Sequence, residues 1–276
     1  MTLAHLGIIG IGSISTDLVE VLTRALDARL DRLTLLVRPG RAEAAGPLAA
    51  AARGCAETVE VVEDVEALIA ARPGLVLEAA GHGAVAAYAE PLLAAGIETV
   101  IASTGALADA GLHDCLAAAA RRGGTRLVLP AGAVGAMDIL AGLRLGAVET
   151  VTYTSRKPPG AWRGTPAEAT LDLDALTEPA TFFDGTARAA ARDYPKNANV
   201  AASIALAGVG FERTRVRMVA DPGASANIHS FTVASEAADI SVQIEGKPSP
   251  RNPKTSLPTV YSLAREVMRR TQPIVS

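Results

Sequence analysis

A short apolar strand that runs directly into closely spaced glycines constrains this chain more than any other feature. The run Leu6–Ser15 contains this strand and then Gly10 and Gly12, and the apolar periodicity that follows predicts a helix over Ser15–Asp27. Gly10 allows a tight turn from strand to helix, and Gly12 lets the backbone approach a phosphate because it carries no Cβ. The positive end of the helix then faces the anion. The run therefore predicts a pyrophosphate site for a dinucleotide.

The match to the G-x-G-x-x-G pattern is imperfect, because Ser15 stands where a third glycine or an alanine is expected. Ser13 and Ile14 occupy the turn between the second glycine and this position. We therefore predict that Gly10, Gly12, Ser13 and Ile14 are cofactor-binding residues.

Strand and helix patterns alternate, with short connections, from the N-terminus to about residue 130. The predicted strands are Leu3–Ile9, Leu33–Val37, Glu57–Val61, Leu75–Glu78, Thr99–Ala102 and Arg126–Leu129. The predicted helices are Ser15–Asp27, Arg41–Ala52, Val65–Ala71, Val85–Ala95 and Leu112–Arg121. Short apolar strands separated by amphipathic helices predict a parallel sheet that is covered on both faces. The first domain, residues 1–130, is therefore predicted to be an α/β Rossmann fold with a doubly wound parallel sheet.

The pattern changes near Pro130, after which longer strands with period-two alternation follow a predicted small-residue helix over Ala131–Leu140. The predicted strands are Val148–Ser155, Thr214–Ala220, Asn227–Ala234 and Ile240–Glu245, and the predicted helices are Thr181–Arg192, Ala198–Ala207 and Val260–Arg270. Such strands favour a mixed or antiparallel sheet. Residues 131–257 are predicted to form a second α/β domain, and the helix within 258–276 is predicted to pack back on the first.

Composition and charge exclude several classes of protein. The net charge is -3 with dispersed Lys and Arg, so a nucleic-acid partner is not expected. The apolar region Leu75–Ile101 is interrupted by charged residues, which excludes a membrane span of about 20 apolar residues. Met1–His5 lacks the basic residues that begin a secretory signal. Cys55 and Cys115 lie far apart and resemble no metal-binding or redox pair. We expect a cytoplasmic protein with no metal site.

In a Rossmann fold, the residue at the end of the second strand contacts the ribose of the cofactor. An acidic residue at this position accepts hydrogen bonds from the ribose hydroxyls of NAD. Here Leu33–Val37 is followed by Arg38 and Arg41, and a guanidinium suits a 2′-phosphate. The sequence predicts that NADP is accepted alongside NAD; alternatively, Arg38 stacks on the adenine or points to solvent.

Four segments of the chain resemble the L-aspartate dehydrogenase family, and together they span most of the chain in the family's order. They are Ser103–Asp109, Leu129–Asp138, Phe183–Arg188 with Tyr194–Ala202, and Asp221–His229 with Asn252–Ser256. The chain departs from the family at Ser15, and at Ala198, where a bulkier apolar residue is more common. The resemblance implies a Rossmann domain paired with an α/β catalytic domain.

The resemblance also implies a reaction. Members of the family oxidise L-aspartate to iminosuccinate with NAD or NADP, and water then releases oxaloacetate and ammonia. The reverse direction is a reductive amination, and some members pass iminosuccinate toward quinolinate and NAD biosynthesis. Carried over by the matching motifs, His229 is the catalytic residue, while Ala133 and Asn199 contact the dinucleotide.

The residues themselves suit this chemistry. A base must take a proton from the substrate ammonium before hydride can leave the α-carbon, and histidine exchanges protons near neutrality. His229 lies in a predicted strand, where Asn227 shares its face and becomes a candidate substrate contact. A structural role is the alternative for a strand histidine. Asn199 begins a predicted helix, where it can cap the helix and contact the cofactor at once.

A dicarboxylate substrate needs polar and cationic partners. Ser103 and Thr104 follow the fifth strand and face the ligand crevice, although a hydroxyl there can instead cap the next helix. The candidate cations in loop-like or strand-end segments are Arg156, Lys157, Lys196 and Lys254.

Two other functions stay open at this point: the same scaffold acting on another amino or imino dicarboxylate, and a dinucleotide-binding sensor without catalysis. A homodimer is expected because dimers are the commonest assembly, and strand Ile240–Glu245 is a candidate for pairing across a two-fold axis.

Overall fold

The computed structural model describes residues 3–247 and 256–274. The chain divides into two compact units, Met1–Pro130 with Thr259–Ser276, and Ala131–Pro258. Lys254 lies outside the described residues, as does the side chain of Lys196.

The first unit is built on a six-stranded parallel sheet. Its strands are β1 His5–Ile9, β2 Leu30–Leu36, β3 Ala56–Val62, β4 Leu75–Glu78, β5 Thr99–Ile101 and β6 Leu127–Val128. They lie in the order β3-β2-β1-β4-β5-β6, and every described pairing is parallel. The chain therefore winds outward in both directions from β1, whose Leu6 and Ile8 are fully buried. This order confirms the predicted doubly wound Rossmann sheet.

Helices connect these strands as the apolar periodicity predicts. They are α1 Ser13–Ala25, α2 Gly46–Ala52, α3 Val65–Ala70, α4 His82–Ala94 and α5 Ala110–Gly123. Short 3₁₀ helices precede α2 at Glu43–Ala45 and α5 at Thr104–Ala108. Asp64 and Asp109 begin α3 and α5 by accepting hydrogen bonds from backbone N–H groups of the first turn.

The second unit contains a five-stranded mixed sheet. Its strands are β7 Val148–Lys157, β8 Ala180–Thr186, β9 Thr214–Ala220, β10 Asn227–Ser235 and β11 Ile240–Gly246. They lie in the order β11-β10-β7-β9-β8, in which β7 and β9 are parallel and the other pairs are antiparallel. The prediction of a mixed sheet is confirmed.

The remaining helices are α6 Met137–Leu143, α7 Ala187–Asp193, α8 Asn199–Ala207 and α9 Leu257–Thr271. The apolar face of α9 places Val260, Leu263 and Val267 in the same buried cluster as Leu6 of β1. Arg270 near the end of α9 donates two hydrogen bonds to the carboxylate of Glu98, at 3.0 and 2.9 Å. In the described ranges no helix has the length and apolar character that crossing a membrane requires.

Two helix predictions were wrong in the second unit. Thr181–Arg192 is half strand, because β8 pairs with β9 over Ala180–Thr186 before α7 begins. Phe182 and Phe183 favour a strand, and Asp184 forms ion pairs with arginines of β9.

The second wrong prediction is the helix over Ala131–Leu140, since α6 begins only at Met137. Gly132, Gly135 and Ala136 have φ angles of 63°, 68° and 54°. These left-handed conformations form a turn before the helix and prevent an earlier start.

Candidate active site

The glycine turn of the first unit joins β1 to α1. Gly10 has a φ of +101°, and a Cβ there would lie 2.8 Å from the Cβ of Ala80, so only glycine fits without strain. Gly12 is the N-cap of α1, and a Cβ there would meet no atom within 4 Å. Ser13 and Ile14 form the first turn of the helix. An open backbone next to a helix N-terminus fits the pyrophosphate of a dinucleotide.

A cavity of about 700 Å³ opens beside this turn. Its lining residues are Ile9, Gly10, Ile11, Gly12, Leu36, Val37, Arg38, Arg41, Ala79, Ala80, Gly83, Ala84, Ala87 and Tyr88. Arg38 and Arg41 are exposed at its edge, and none of these lining residues is acidic. The cavity therefore presents positive charge where the second strand ends.

A nearby carboxylate, Glu63, binds the loop that carries the arginines. Its Oε1 accepts hydrogen bonds from the backbone N–H groups of Arg41 and Ala42, both at 2.9 Å. The backbone N–H groups of Ala42, Gly40 and Arg41 lower the pKa of Glu63. Glu63 follows the third strand rather than the second, so the expected position of the ribose contact did not point to it.

Buried Glu78, at the carboxyl end of β4, organises two loops at the edge of the parallel sheet. Its Oε1 accepts hydrogen bonds from the N–H groups of Ala80 and Gly81 at 2.6 and 2.7 Å, and from the hydroxyl of Ser103 at 3.0 Å. Its Oε2 accepts from the N–H of Ser103 at 3.1 Å. Ser103 and the adjacent Thr104 are both buried. Glu78 could have been identified from the sequence, because it is an acidic residue at the end of an apolar strand.

In the second unit His229 lies on β10, with its side chain on the covered face of the mixed sheet. It is 6% exposed, and its Nδ1 lies 2.7 Å from the hydroxyl of Tyr153 on the adjacent strand β7. Burial, and then the positive charge of Lys157, lower the pKa of His229 to about 4. Burial raises the pKa of Tyr153, so this phenol keeps its proton. The imidazole is therefore neutral at pH 7 and can accept a proton.

Lys157 extends this cluster at the end of β7. Its Nζ donates a hydrogen bond to Oδ1 of Asn197 at 2.6 Å and lies 4.8 Å from the ring centroid of Trp162. Burial lowers the pKa of Lys157 to about 8. Asn227 lies two residues before His229 on β10 and so has the same facing, as the strand periodicity predicts.

The dinucleotide contacts implied by the family resemblance also lie in the second unit. Ala133 is buried in the left-handed turn before α6, between Gly132 and Gly135. Asn199 is exposed as the first residue of α8, while the N-cap position belongs to Ala198 and carries no side-chain cap. Asn199 is therefore not the N-cap residue of α8.

The parallel sheet and its glycine turn define the first unit as a dinucleotide-binding domain, and comparisons with known proteins give the family. The model of the aspartate dehydrogenase C-terminal domain matches residues 138–270. The model of the NAD-binding domain of homoserine dehydrogenase matches residues 10–130.

Relatives and a solved structure agree with these matches. An L-aspartate dehydrogenase of a Polaromonas species is 43% identical over 270 residues, 98% of each chain. One from Ruegeria pomeroyi is 50% identical over 235 residues, which cover 85% of this chain and 82% of that one. The crystal structure of aspartate dehydrogenase from Thermotoga maritima aligns over both whole chains, with a TM-score of 0.73 and 26% identity.

The chain belongs to the L-aspartate dehydrogenase family. This confirms the resemblance seen in the sequence, the enzyme class of NAD(P)-dependent amino-acid dehydrogenases and the nicotinamide cofactor. The roles of individual residues stay predictions.

Proposed function

We propose that this chain oxidises L-aspartate to iminosuccinate with NAD or NADP, and that hydrolysis of the imine releases oxaloacetate and ammonia. The observation that carries the proposal is the buried, neutral His229, whose Nδ1 lies 2.7 Å from the Tyr153 hydroxyl. The 43% identity with an L-aspartate dehydrogenase over 98% of the chain supports the same substrate.

His229 acts as the general base in this proposal. In the neutral tautomer whose Nδ1–H donates a hydrogen bond to the hydroxyl oxygen of Tyr153, Nε2 carries the lone pair and takes a proton from the substrate ammonium. The neutral amine's lone pair then forms the C=N bond as hydride leaves the α-carbon. A bound oxidised nicotinamide supplies the acceptor for this hydride. His229 then releases this proton to solvent, takes a proton from the water that attacks the imine, and gives that proton to the amine nitrogen, so that ammonia leaves as the carbonyl forms.

The glycine turn and the arginine-edged cavity would hold the dinucleotide. Gly10, Gly12, Ser13 and Ile14 provide the backbone for the pyrophosphate, and Arg38 provides a guanidinium for a 2′-phosphate. In this proposal both NAD and NADP are accepted, because the cavity has a cationic edge and no acidic lining residue to repel the phosphate.

The family resemblance supports two further proposed contacts. Ala133 and Asn199 are proposed to contact the dinucleotide. The proposed substrate contacts are Ser103, Thr104, Asn227 and Lys254.

A spectrophotometric assay tests the function. Wild-type protein, L-aspartate and either oxidised cofactor at alkaline pH should yield absorbance of the reduced nicotinamide. L-glutamate and other amino dicarboxylates serve as competing substrates, and tight cofactor binding without any turnover would instead favour a sensor.

His229→Ala tests the assigned base. We expect turnover to fall by about 10²–10⁴-fold with little change in cofactor affinity, since only proton transfer is lost. His113→Ala, on the exposed face of α5, is the matched control and should keep wild-type turnover. Near-normal turnover of His229→Ala would remove this residue from its proposed role.

We also propose a cytoplasmic homodimer. The thiol of Cys115 is free and exposed, which suits a reducing compartment. Strand β11 is an edge strand of the mixed sheet, and its Ile240, Val242 and Ile244 are only partly buried. Light scattering should give twice the chain mass of 28.2 kDa, and the mass of one chain would refute the dimer.

A further inference from the structure

Lys157 is a buried cation on the same face of the mixed sheet as His229. It is 9% exposed, and its ammonium contacts the Oδ1 of Asn197 and the ring of Trp162. Its strand neighbour Arg156 is instead half-exposed and forms an ion pair with Asp221 at 3.3 Å. The strand thus directs one of two adjacent cations inward.

The inward cation has no counter-charge in the part of the chain that the structure describes, where no carboxylate forms an ion pair with Lys157. A buried ammonium loses its hydration, and one amide oxygen and one aromatic ring replace only part of it. Such an arrangement is unfavourable for the protein alone. It becomes favourable when an anion enters and pairs with the ammonium.

The sheet register relates this cation to His229. His229 is paired with Ser155 across β10 and β7, and Lys157 is two residues further along the same face of β7. Diagonal neighbours of this kind lie about 7–8 Å apart, with their Cβ atoms somewhat closer, so both side chains can reach one small ligand. The amine and a carboxylate of one amino acid can therefore meet the two groups together.

We propose that Lys157 binds a carboxylate of the substrate and thereby directs the substrate amine toward His229. This inference rests on the proposed function, because it requires an anionic amino acid whose amine is deprotonated at His229. Asn197 is then a positioning residue, since its Oδ1 accepts a hydrogen bond from the Lys157 ammonium.

Pairing of the substrate carboxylate with Lys157 also changes the pKa of His229. The positive charge of Lys157 lowers the pKa of His229 when no substrate is bound. A carboxylate on Lys157 offsets this charge, so the pKa of His229 rises when the substrate arrives. His229 thus becomes a stronger base in the complex than in the protein alone.

Steady-state kinetics with L-aspartate and saturating cofactor test the proposal. Lys157→Met should raise KM by about 10–100-fold and lower kcat by less than about tenfold, because a charge-assisted contact of the bound substrate is lost. Lys157→Arg keeps the charge and should recover part of the affinity. Arg217→Met, which removes an exposed cation from the opposite face of the sheet, is the control and should leave KM unchanged.

The pH dependence separates binding from a structural role. Raising the pH above about 8 should deprotonate Lys157 and raise the wild-type KM, whereas the Lys157→Arg variant should not show this extra rise. Among the described residues of this face, the titratable groups besides Lys157 are His229 on β10 and Tyr153 on β7, while Asn197 and Trp162 do not titrate.

Calorimetric titration of L-aspartate into protein loaded with reduced cofactor measures the same contact without catalysis. A KM and affinity of Lys157→Met within about twofold of wild type would overturn the proposal. An equal rise of KM with pH in Lys157→Arg would also overturn it, even if the Met variant does not fold. Absence of wild-type turnover would contradict the proposed function instead, and the binding measurement would still decide the role of Lys157.

Discussion

Replacing Lys157 with methionine should stabilise the second unit while it weakens substrate binding. Burial lowers the pKa of this lysine from 10.5 to about 8, which corresponds to roughly 3 kcal/mol at neutral pH. The contact with Trp162 offsets about 0.5–2 kcal/mol of this penalty. Methionine retains most of the buried aliphatic stem, so we expect the variant to be about 1–3 kcal/mol more stable at pH 7.

The sign of the pH dependence follows from the lowered pKa. Between pH 8 and 10.5 the unfolded chain binds more protons at this lysine than the folded chain, so wild-type stability from this group rises with pH. The penalty is full below pH 8 and absent above 10.5. The advantage of the methionine variant should therefore fade across this window.

Differential scanning calorimetry of wild type and Lys157→Met at pH 7 and at higher pH measures this difference. Each kcal/mol should shift the melting temperature by roughly 4 °C, because the second unit, Ala131–Pro258, lies between the size classes for which the shift is about 4–8 °C and about 2–4 °C. Lys247→Met, at an exposed lysine after β11, is the matched control and should change stability by less than about 0.5 kcal/mol. A methionine variant that is less stable at pH 7, or whose advantage does not vary with pH, would refute the reasoning.

Three other perturbations probe the first unit. Gly10→Ala should lower dinucleotide affinity by at least about tenfold, because its Cβ would clash with Ala80; unchanged binding in a fluorescence titration would contradict the assigned turn. Arg38→Asp should shift the kcat/KM ratio from NADP toward NAD by about tenfold or more, and an unaltered ratio would exclude a 2′-phosphate contact. Glu78→Gln should lower the free energy of unfolding by about 1–3 kcal/mol, because an NH₂ group cannot accept hydrogen bonds from the N–H groups that the carboxylate now satisfies. If calorimetry gives a stability equal to wild type, the hydrogen bonds of Glu78 contribute little.

The first unit could be predicted well because its signals are local. The turn at Gly10, the buried strand around Leu6 and the amphipathic α1 each follow from a few adjacent residues. The doubly wound order then follows from the right-handed connections that parallel strands require. Glu63 was not predicted, since its hydrogen bonds to the Arg41 loop join segments that lie far apart in the sequence.

The strand β8 shows where local signals conflict. Phe182 and Phe183 favour a strand, whereas the alanine-rich residues after Thr186 favour a helix. Asp184 forms ion pairs with Arg215 and Arg217 on β9. These partners lie about thirty residues away, and their alignment depends on the pairing of two strands. Long-range pairing therefore decides the conformation of the segment, and the local helix preference applies only from Ala187 onward.

Part of the proposed active-site cluster could be predicted from the sequence, and part of it could not. Alternation along β7 gives Lys157 the same facing as Val151 and Tyr153, so the inward direction of this lysine could be predicted from strand periodicity. The contact between Tyr153 and His229 could not, because a shift of one residue between β7 and β10 would turn the imidazole away from the phenol. The proposed base, the phenol beside it and a buried cation thus come together only through the register of two strands. Substitutions that alter this register should reduce activity even when every side chain of the proposed site is present.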